Sequence, residues 1–395
     1  MIKRRLTDSA LFDQIQKAAV NKEAVAGLTH GFYRYPARFS PVFASSVIEA
    51  FSKPGDLVLD PFAGGGTTVV QALAARRNVV GNDCNSLSIF LCRAKTTTLS
   101  DSEMNEARRW FGAVAGTIDY RYPRSELVDL LSDPRVRNLD HHRARAIKKA
   151  TAICLQRIGV LSTNRLQRFA RCVVLRTVQW ALDGRRKHTT LDEFRVAILQ
   201  YLDEMLTGLQ AFTAARSNTY KQTQCHLVYG DAAQLHRSYV FRRRGQIVDL
   251  VVTSPPYPGV HVLYHRWQVN GRRETPAPYW IADCVDGHGA AHYTFCDRKC
   301  KGLEGYFSRL LATFKSVRSV TRSGAYLVQL VAFSKPEKQL PLYLDCLTAA
   351  GFSEELIGSE DDRRIWREVP NRKWHAALKG NTTSSREVLL VHRAL

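Results

Sequence analysis

A doubly wound α/β fold carrying a large helical insertion is predicted by three features of this 395-residue sequence. Short runs rich in Val, Ile and Leu recur and stop at Gly, Pro or Asp, the pattern of parallel strands buried on both faces. Segments with helical spacing alternate with these runs, as a sheet wound on both sides requires. One long stretch breaks the alternation and reads as helix throughout.

Strands are predicted over residues 57–60, 79–83, 227–231, 248–253 and 325–333, with 352–357 and 387–392 as a closing hairpin or a pair of edge strands. Between the first two, residues 67–76 have the Ala, Leu, Val and Gln content of a helix. Residues 340–350 form another, and Gly351 sits where a helix C-cap belongs. In the insertion, 143–149, 157–173 and 191–212 mix apolar and polar residues at helical intervals, with breaks at Pro123, Pro134 and Gly184. The expected division is a first half-sheet in residues 1–99, the insertion in 100–224 and a second half-sheet in 225–395.

Composition narrows the class. Apolar residues at 45% and aromatics at 10% describe a soluble globular chain. No apolar run approaches the roughly 18 residues that span a bilayer, and the N-terminus lacks the apolar core of a secretory signal, so a cytoplasmic location without a membrane partner is expected. Nine cysteines, an odd number scattered over the chain, read as reduced thiols. Against 36 Asp+Glu stand 57 Lys+Arg, a net charge of +21 that suits a polyanionic partner. Between His141 and Thr190 there are twelve Lys/Arg and one acid, Asp183. That one-sidedness favours a phosphate-contacting surface over an ordinary solvated helix face, with Arg143, Arg145, Lys148 and Lys149 as the expected contacts.

The segment from Leu57 to Val69 (LVLDPFAGGGTTV) is a strand, a Gly-rich turn and a helix start. Such a turn brings backbone N–H groups close to a ligand. A phosphate loop of the ATP type would carry Lys before its Ser/Thr, but Thr67 follows Gly66 directly, and a dinucleotide turn would want Gly where Val69 stands. The methionine end of S-adenosyl-L-methionine is the remaining common occupant. Asp83, at the end of the next strand, stands where Rossmann-like sheets place the acceptor for ribose hydroxyls. Asp231, at the tip of the third, could accept from an adenine amino group.

The fourth strand runs into Ser254-Pro255-Pro256-Tyr257. Two prolines freeze the backbone and leave carbonyls that no proline N–H can mask, flanked by a small hydroxyl and an aromatic ring. This tetrapeptide and the Asp-Pro-Phe-Ala-Gly-Gly-Gly-Thr-Thr turn together resemble the two diagnostic motifs of the DNA amino-methyltransferases of restriction-modification type. Residues 30–41 (HGFYRYPARFSP) resemble the cofactor segment that precedes them in that family, and Ser323-Gly324 and Gly351-Phe352 resemble its later strand entries. The resemblance covers about residues 28–95 and 226–395 and leaves out the insertion, which precedes Asp231 rather than clearly following it as a target-recognition domain would.

The resemblance implies a mostly parallel sheet of about seven strands. It implies S-adenosyl-L-methionine held by Tyr35, Arg38, Asp60, Pro61, Phe62, Gly64, Gly66, Thr67, Asp83 and Asp231. Ser254, Pro255, Pro256 and Tyr257 would be catalytic: the Ser254 hydroxyl and the Pro255 carbonyl accept from the target amine, and Tyr257 stacks on a base flipped out of double-stranded DNA. Ser254 at the head of the loop favours cytosine N4 over adenine N6, because a hydroxyl can both accept from and donate to a cytosine edge. None of the cysteines has the Pro-Cys setting of carbon-5 methylation. A cognate restriction or defence-system partner would accompany such an enzyme; an RNA amino-methyltransferase and a non-catalytic DNA-binding protein are the rival classes. Cys284, His288, His292, Cys296 and Cys300 recur at every fourth residue, but Gly287 and Gly289 interrupt any helix there, and no metal is expected.

Overall fold

The computed structural model describes residues 4–5, 9–21, 23, 25–35, 40–185, 187–217, 223–243, 245–258, 266–269, 271, 273–286, 295, 302–356, 364–368 and 386–395. The strands are β1 Arg4–Arg5, β2 Leu57–Asp60, β3 Asn78–Asp83, β4 Cys225–Tyr229, β5 Val248–Thr253, β6 Trp267–Val269, β7 Arg273–Thr275, β8 Thr321–Ala332, β9 Phe352–Leu356, β10 Trp366–Glu368 and β11 Arg386–Ala394. The helices are α1 Ser9–Ala19, α2 Pro41–Phe51, α3 Thr67–Ala74, α4 Ser86–Thr96, α5 Asp101–Thr117, α6 Val128–Leu131, α7 Arg145–Arg157, α8 Asn164–Leu182, α9 Leu191–Ser217, α10 Ala277–Ala282, α11 Gly302–Val320 and α12 Pro336–Ala349.

Nine strands make the main sheet in the order β1-β9-β11-β8-β5-β2-β3-β4, with β10 on β11. The pairs β2–β3, β2–β5, β3–β4 and β5–β8 are parallel, while β11 runs antiparallel to both β8 and β9. From β2 the chain steps outward to β3 and β4, then returns to lay β5 on the other side of β2. The carboxyl ends of β2 and β5 are thereby neighbours at a topological switch point, where doubly wound sheets bind ligands.

Local chemistry sets the element ends. Ser40 caps α2 with Pro41 in its first turn, Asn85 caps α4, and a Ser100–Glu103 capping box starts α5. Two sequence expectations shift. The helix expected over 157–173 is two, because the chain leaves α7 through a tight turn at Ile158–Val160 and restarts where Thr163 caps α8. The strand expected from 325 begins at Thr321, directly off α11. Strands β1 and β10, two and three residues long, are too short for a period-2 signal, and they bring the sheet beyond the expected seven.

The insertion does not stand apart. Side chains of α5, α7, α8 and α9 share one core with Leu87, Phe90 and Leu91 of α4 and with Trp267, Tyr279 and Trp280. A Cβ on Gly208 would fall 2.2 Å from the Leu28 carbonyl, so α9 lies directly against the segment that precedes the Gly-rich turn. Among the described residues no helix is long and apolar enough to cross a membrane.

Gly66 opens α3 at φ +76°, and a Cβ there would lie 2.9 Å from the Cys92 sulfur. Gly66→Ala is therefore expected to cost about 1–3 kcal/mol in denaturant unfolding. Gly112→Ala, which meets open space inside α5, is expected to gain about 0.5–1 kcal/mol. Equal effects at the two positions would contradict the account of the turn.

Candidate active site

One buried hydrogen bond joins the two strand ends. Asp60 Oδ1 accepts from Thr253 Oγ1 at 2.7 Å and from the Phe62 N–H at 3.1 Å. Both side chains are buried, and burial pushes the Asp60 carboxyl from 3.8 up to about 6. Thr68 Oγ1 donates to the Val252 carbonyl, pinning the start of α3 to β5. On the other side, Asn82 Nδ2 donates to the Pro61 and Gly230 carbonyls at 3.1 and 3.2 Å, which locks the tips of β2 and β4 to β3.

The Gly-rich turn is held from beneath by charged groups. Asp83 Oδ2 accepts from the Gly64 N–H and from Ser88 Oγ, each at 2.8 Å, and Oδ1 accepts from the Asn85 N–H at 2.8 Å. Burial raises this carboxyl above its ordinary range. Lys95, fully buried at the end of α4, donates to the Gly65 carbonyl at 2.7 Å. Tyr35 covers the turn from above: a Cβ on Gly65 would lie 3.0 Å from the Tyr35 Cβ.

Beside the turn is a cleft lined by Pro61, Phe62, Asn82, Cys84, Asp231, Ala232, Phe295 and Arg309. Phe62 and Phe295 meet edge to face at 5.4 Å. Asp231 caps the Ala232–Arg237 turn through Oδ1 and pairs through Oδ2 with Arg309 at 2.9 Å. Asn82 Oδ1 is buried without a hydrogen-bond partner, an acceptor left for a ligand donor.

After β5, the Pro256 carbonyl accepts from Tyr306 at 2.6 Å. Ser254 Oγ lies 3.0 Å from the Leu330 carbonyl and 2.8 Å from the Tyr257 hydroxyl. Tyr257 donates to Glu387 Oε1 at 2.7 Å, and Glu387 Oε2 is gripped by Arg367 at 2.6 and 2.8 Å. Tyr257 is turned into the core, only 9% exposed, so it reaches the site through its hydroxyl rather than as an open ring face.

A family model for N6/N4 DNA methylases matches residues 7–89. The type II methyltransferase M.MvaI of Kocuria varians is 35% identical over 111 residues, 25% of this chain and 24% of the relative. The DNA adenine methyltransferase YhdJ of Escherichia coli is 40% identical over 96 residues, 24% of this chain and 33% of that one. M.MjaII of Methanocaldococcus jannaschii, also a type II methyltransferase, is 30% identical over 66 residues, 17% of this chain and 12% of the relative. The chain resembles the DNA amino-methyltransferases. It spans a third or less of the lengths of these curated relatives. S-adenosylmethionine is the expected cofactor of an amino-methyltransferase.

The structure gathers Asp60, Pro61, Phe62, Gly64, Gly66, Thr67, Asp83 and Asp231 around the ends of β2, β3 and β4, with Tyr35 over the turn and Ser254 to Tyr257 on the adjoining strand end. Arg38, His288, His292, Cys296 and Cys300 lie outside the described residues. Cys284 contacts the Ser86 and Ala282 carbonyls, and burial pushes its thiol up to about 11. Among the described residues no cluster of three His, Cys, Asp or Glu is disposed to hold a metal. Sequence reasoning missed Asn82, Lys95, Tyr306, Arg309, Arg367 and Glu387. Of these, only the Asn immediately before Asp83 offered a local signal.

Because burial raises Asp60, its protonated form is favoured by folding: this contribution is present below about pH 4 and is lost as pH rises through about 6. Asp60→Asn keeps an acceptor for Thr253 and Phe62. Its stability relative to the parent is expected to climb between pH 4 and 6, by up to the order of 3 kcal/mol, and then level off. Unfolding at pH 4, 5, 6 and 8 checks this, and a difference flat in pH contradicts it.

Proposed function

We propose that this protein is an S-adenosylmethionine-dependent DNA methyltransferase that modifies an exocyclic amine, cytosine N4 in particular. The observation that carries the reading is the seating of Ser254-Pro255-Pro256-Tyr257 beside the Gly-rich turn, with Asp60 and Thr253 bonded across the two strand ends at 2.7 Å.

The residues present fit such a cofactor. Asp60 and Asp83 supply negative charge for an ammonium and acceptors for ribose, and the cleft offers Asn82 Oδ1 and Asp231 beside two aromatic rings. When bound, the cofactor supplies a methyl group already activated on a sulfonium. The chain must then do little beyond positioning. An exocyclic amine has its lone pair delocalised into the ring. Acceptors at Ser254 Oγ and the Pro255 carbonyl accept hydrogen bonds from its two N–H groups and favour the pyramidal nitrogen whose lone pair can attack. In a duplex the base must first leave the stack, at a cost of a few kcal/mol.

The insertion supplies the basic surface for the phosphate backbone, although fewer residues serve than the sequence suggests. Arg143 and Arg145 are exposed, but Lys148 is buried against Asp140 at 2.7 Å and Lys149 donates to the Tyr120 carbonyl at 2.5 Å. Among the described residues these last two are structural, which corrects the expectation of four phosphate contacts.

Replacing Arg143 and Arg145 by Ala is expected to weaken DNA binding and lower the slope of log K against log salt by about 2, since each phosphate contact contributes about 0.9. Lys148→Ala should instead lower stability and leave the slope alone. Salt titrations of binding together with thermal melts separate the two, and an unchanged slope in the double variant removes this surface from the interface. Binding of the cationic cofactor favours the ionised form of Asp60, so affinity for S-adenosylhomocysteine, which keeps the ammonium, should fall as pH drops below about 6. Asp60→Asn should bind weakly at every pH, and calorimetry across that range is the check.

Nucleoside mass spectrometry of DNA and RNA incubated with protein and labelled cofactor tests the assignment itself. N4-methylcytosine in DNA is expected. N6-methyladenine alone moves the base and leaves the loop chemistry in place, whereas label in RNA only overturns the choice of substrate.

A further inference from the structure

Behind the catalytic loop, a line of polar groups crosses three strands of the sheet. It starts at Ser254 after β5, passes the Leu330 carbonyl of β8, and runs through Tyr257 to Glu387 on β11 and Arg367 on β10. Glu387 is 3% exposed and Arg367 7%. A buried ion pair of this kind is no aid to stability over a well-packed apolar pair, so its presence calls for another explanation.

Counting protons supplies one. The hydroxyls of Ser254 and Tyr257 bring two protons to three short contacts: Ser254 to Leu330 at 3.0 Å, Ser254 to Tyr257 at 2.8 Å and Tyr257 to Glu387 at 2.7 Å. Both ends of the line, a carbonyl and a carboxylate, are acceptors. The line is therefore one proton short. With Tyr257 donating to Glu387 and Ser254 donating to Tyr257, the Ser254 oxygen turns lone pairs outward as an acceptor. One added proton completes the set, with Glu387 donating to Tyr257, Tyr257 to Ser254 and Ser254 to Leu330.

We propose that Glu387 is a positioning residue for methyl transfer, drawing off through Tyr257 and Ser254 the proton that the target amine must lose. The proposal rests on the methyltransferase reading above. As the nitrogen–carbon bond forms and the carbon–sulfur bond breaks, the amine nitrogen becomes cationic with one proton too many. That proton passes to Ser254 Oγ, the Ser254 proton to the Tyr257 hydroxyl, and the Tyr257 proton to Glu387 Oε1. The product is a neutral methylamine beside a neutral carboxylic acid, so the positive charge of the sulfonium and the negative charge of Glu387 vanish together. Once the product has left, the proton returns to solvent along the same line. Arg367 holds the carboxylate in place with two bonds to Oε2, leaving Oε1 for Tyr257.

The test compares the full-length parent with Glu387→Gln, Tyr257→Phe and the double variant. Single-turnover transfer of labelled methyl to unmethylated DNA of mixed sequence is measured, with calorimetric titration of S-adenosylhomocysteine alongside. Each single variant should transfer about 10²-fold more slowly, the size of a proton-transfer contribution, while the dissociation constant of S-adenosylhomocysteine stays within about twofold. The double variant should be no slower than the worse single one, because the groups act in series. The loss should fall on the single-turnover rate and not on the dissociation constant, a split that a merely structural role, which loosens the whole site, would not produce. Tyr257→Phe keeps the ion pair intact and stands as the test if Glu387→Gln fails to fold. Rates within twofold of the parent, losses that multiply in the double variant, or a loss of cofactor affinity as large as the loss of rate overturn the proposal. A parent that binds S-adenosylhomocysteine and transfers methyl to no DNA overturns the functional reading and this inference with it.

Discussion

The hydrogen bond between Asp60 and Thr253 is the constraint on which the rest of the site depends. It closes the gap between β2 and β5, the two strands between which the chain reverses its direction of winding. Each strand end carries a loop with different work. The turn after β2 carries the three glycines, and the loop after β5 carries Ser254 and the two prolines, the Pro256 carbonyl being taken by Tyr306. Parallel strands hold register by slanted, evenly spaced bonds that stop at the strand end, so nothing in the ladder itself fixes the relative height of two exiting loops. A side-chain bond one residue from each exit does. Its buried carboxyl is costly to ionise.

The same device recurs twice. Asp83 organises the Gly-rich turn through the Gly64 N–H, Ser88 and the Asn85 N–H, and Glu387 holds the loop after β5 through Tyr257. Asp83 takes three donors from around one turn, and Glu387 takes one from the loop and two from Arg367 on β10, so each acid fixes a loop from beneath.

Much of this was legible in the sequence, for a physical reason. The strands β2, β3, β5 and β8, the helix α3 and both loop motifs are written in consecutive residues, so periodicity and turn chemistry reveal them. The antiparallel closure by β9 and β11 was equally readable as a hairpin or edge pair. What escaped is long-range. Glu387 meets Tyr257 across 130 residues, and Lys95 reaches back 30 residues to Gly65. Charges of this kind look solvated until the fold shows that they are buried. The basic stretch misled in the opposite sense, since Lys148 is buried against Asp140 and Arg171 is spent on the Ile281 carbonyl. Tyr257 looked like an open ring beside two prolines, whereas its hydroxyl is drawn inward by partners that no local pattern announces.

Those internal uses of arginine tie the insertion to the site. Arg171 of α8 donates to the Ile281 carbonyl, and Arg135 donates to the Cys284 carbonyl. Both carbonyls belong to the segment that follows the Ser254–Tyr257 loop, and Tyr279 in the same segment donates to Asn85 at the cap of α4, one turn from the Ser88 that binds Asp83. A force applied to the insertion's helices therefore reaches the Gly-rich turn through a short chain of packed, hydrogen-bonded groups. On the reading proposed above, a phosphate backbone resting on Arg143 and Arg145 would press on the same framework that sets Asp83 beneath Gly64. Helix α4 shares one apolar core with α5, α7, α8 and α9, so the insertion and the Gly-rich turn are packed as one body rather than joined by a linker.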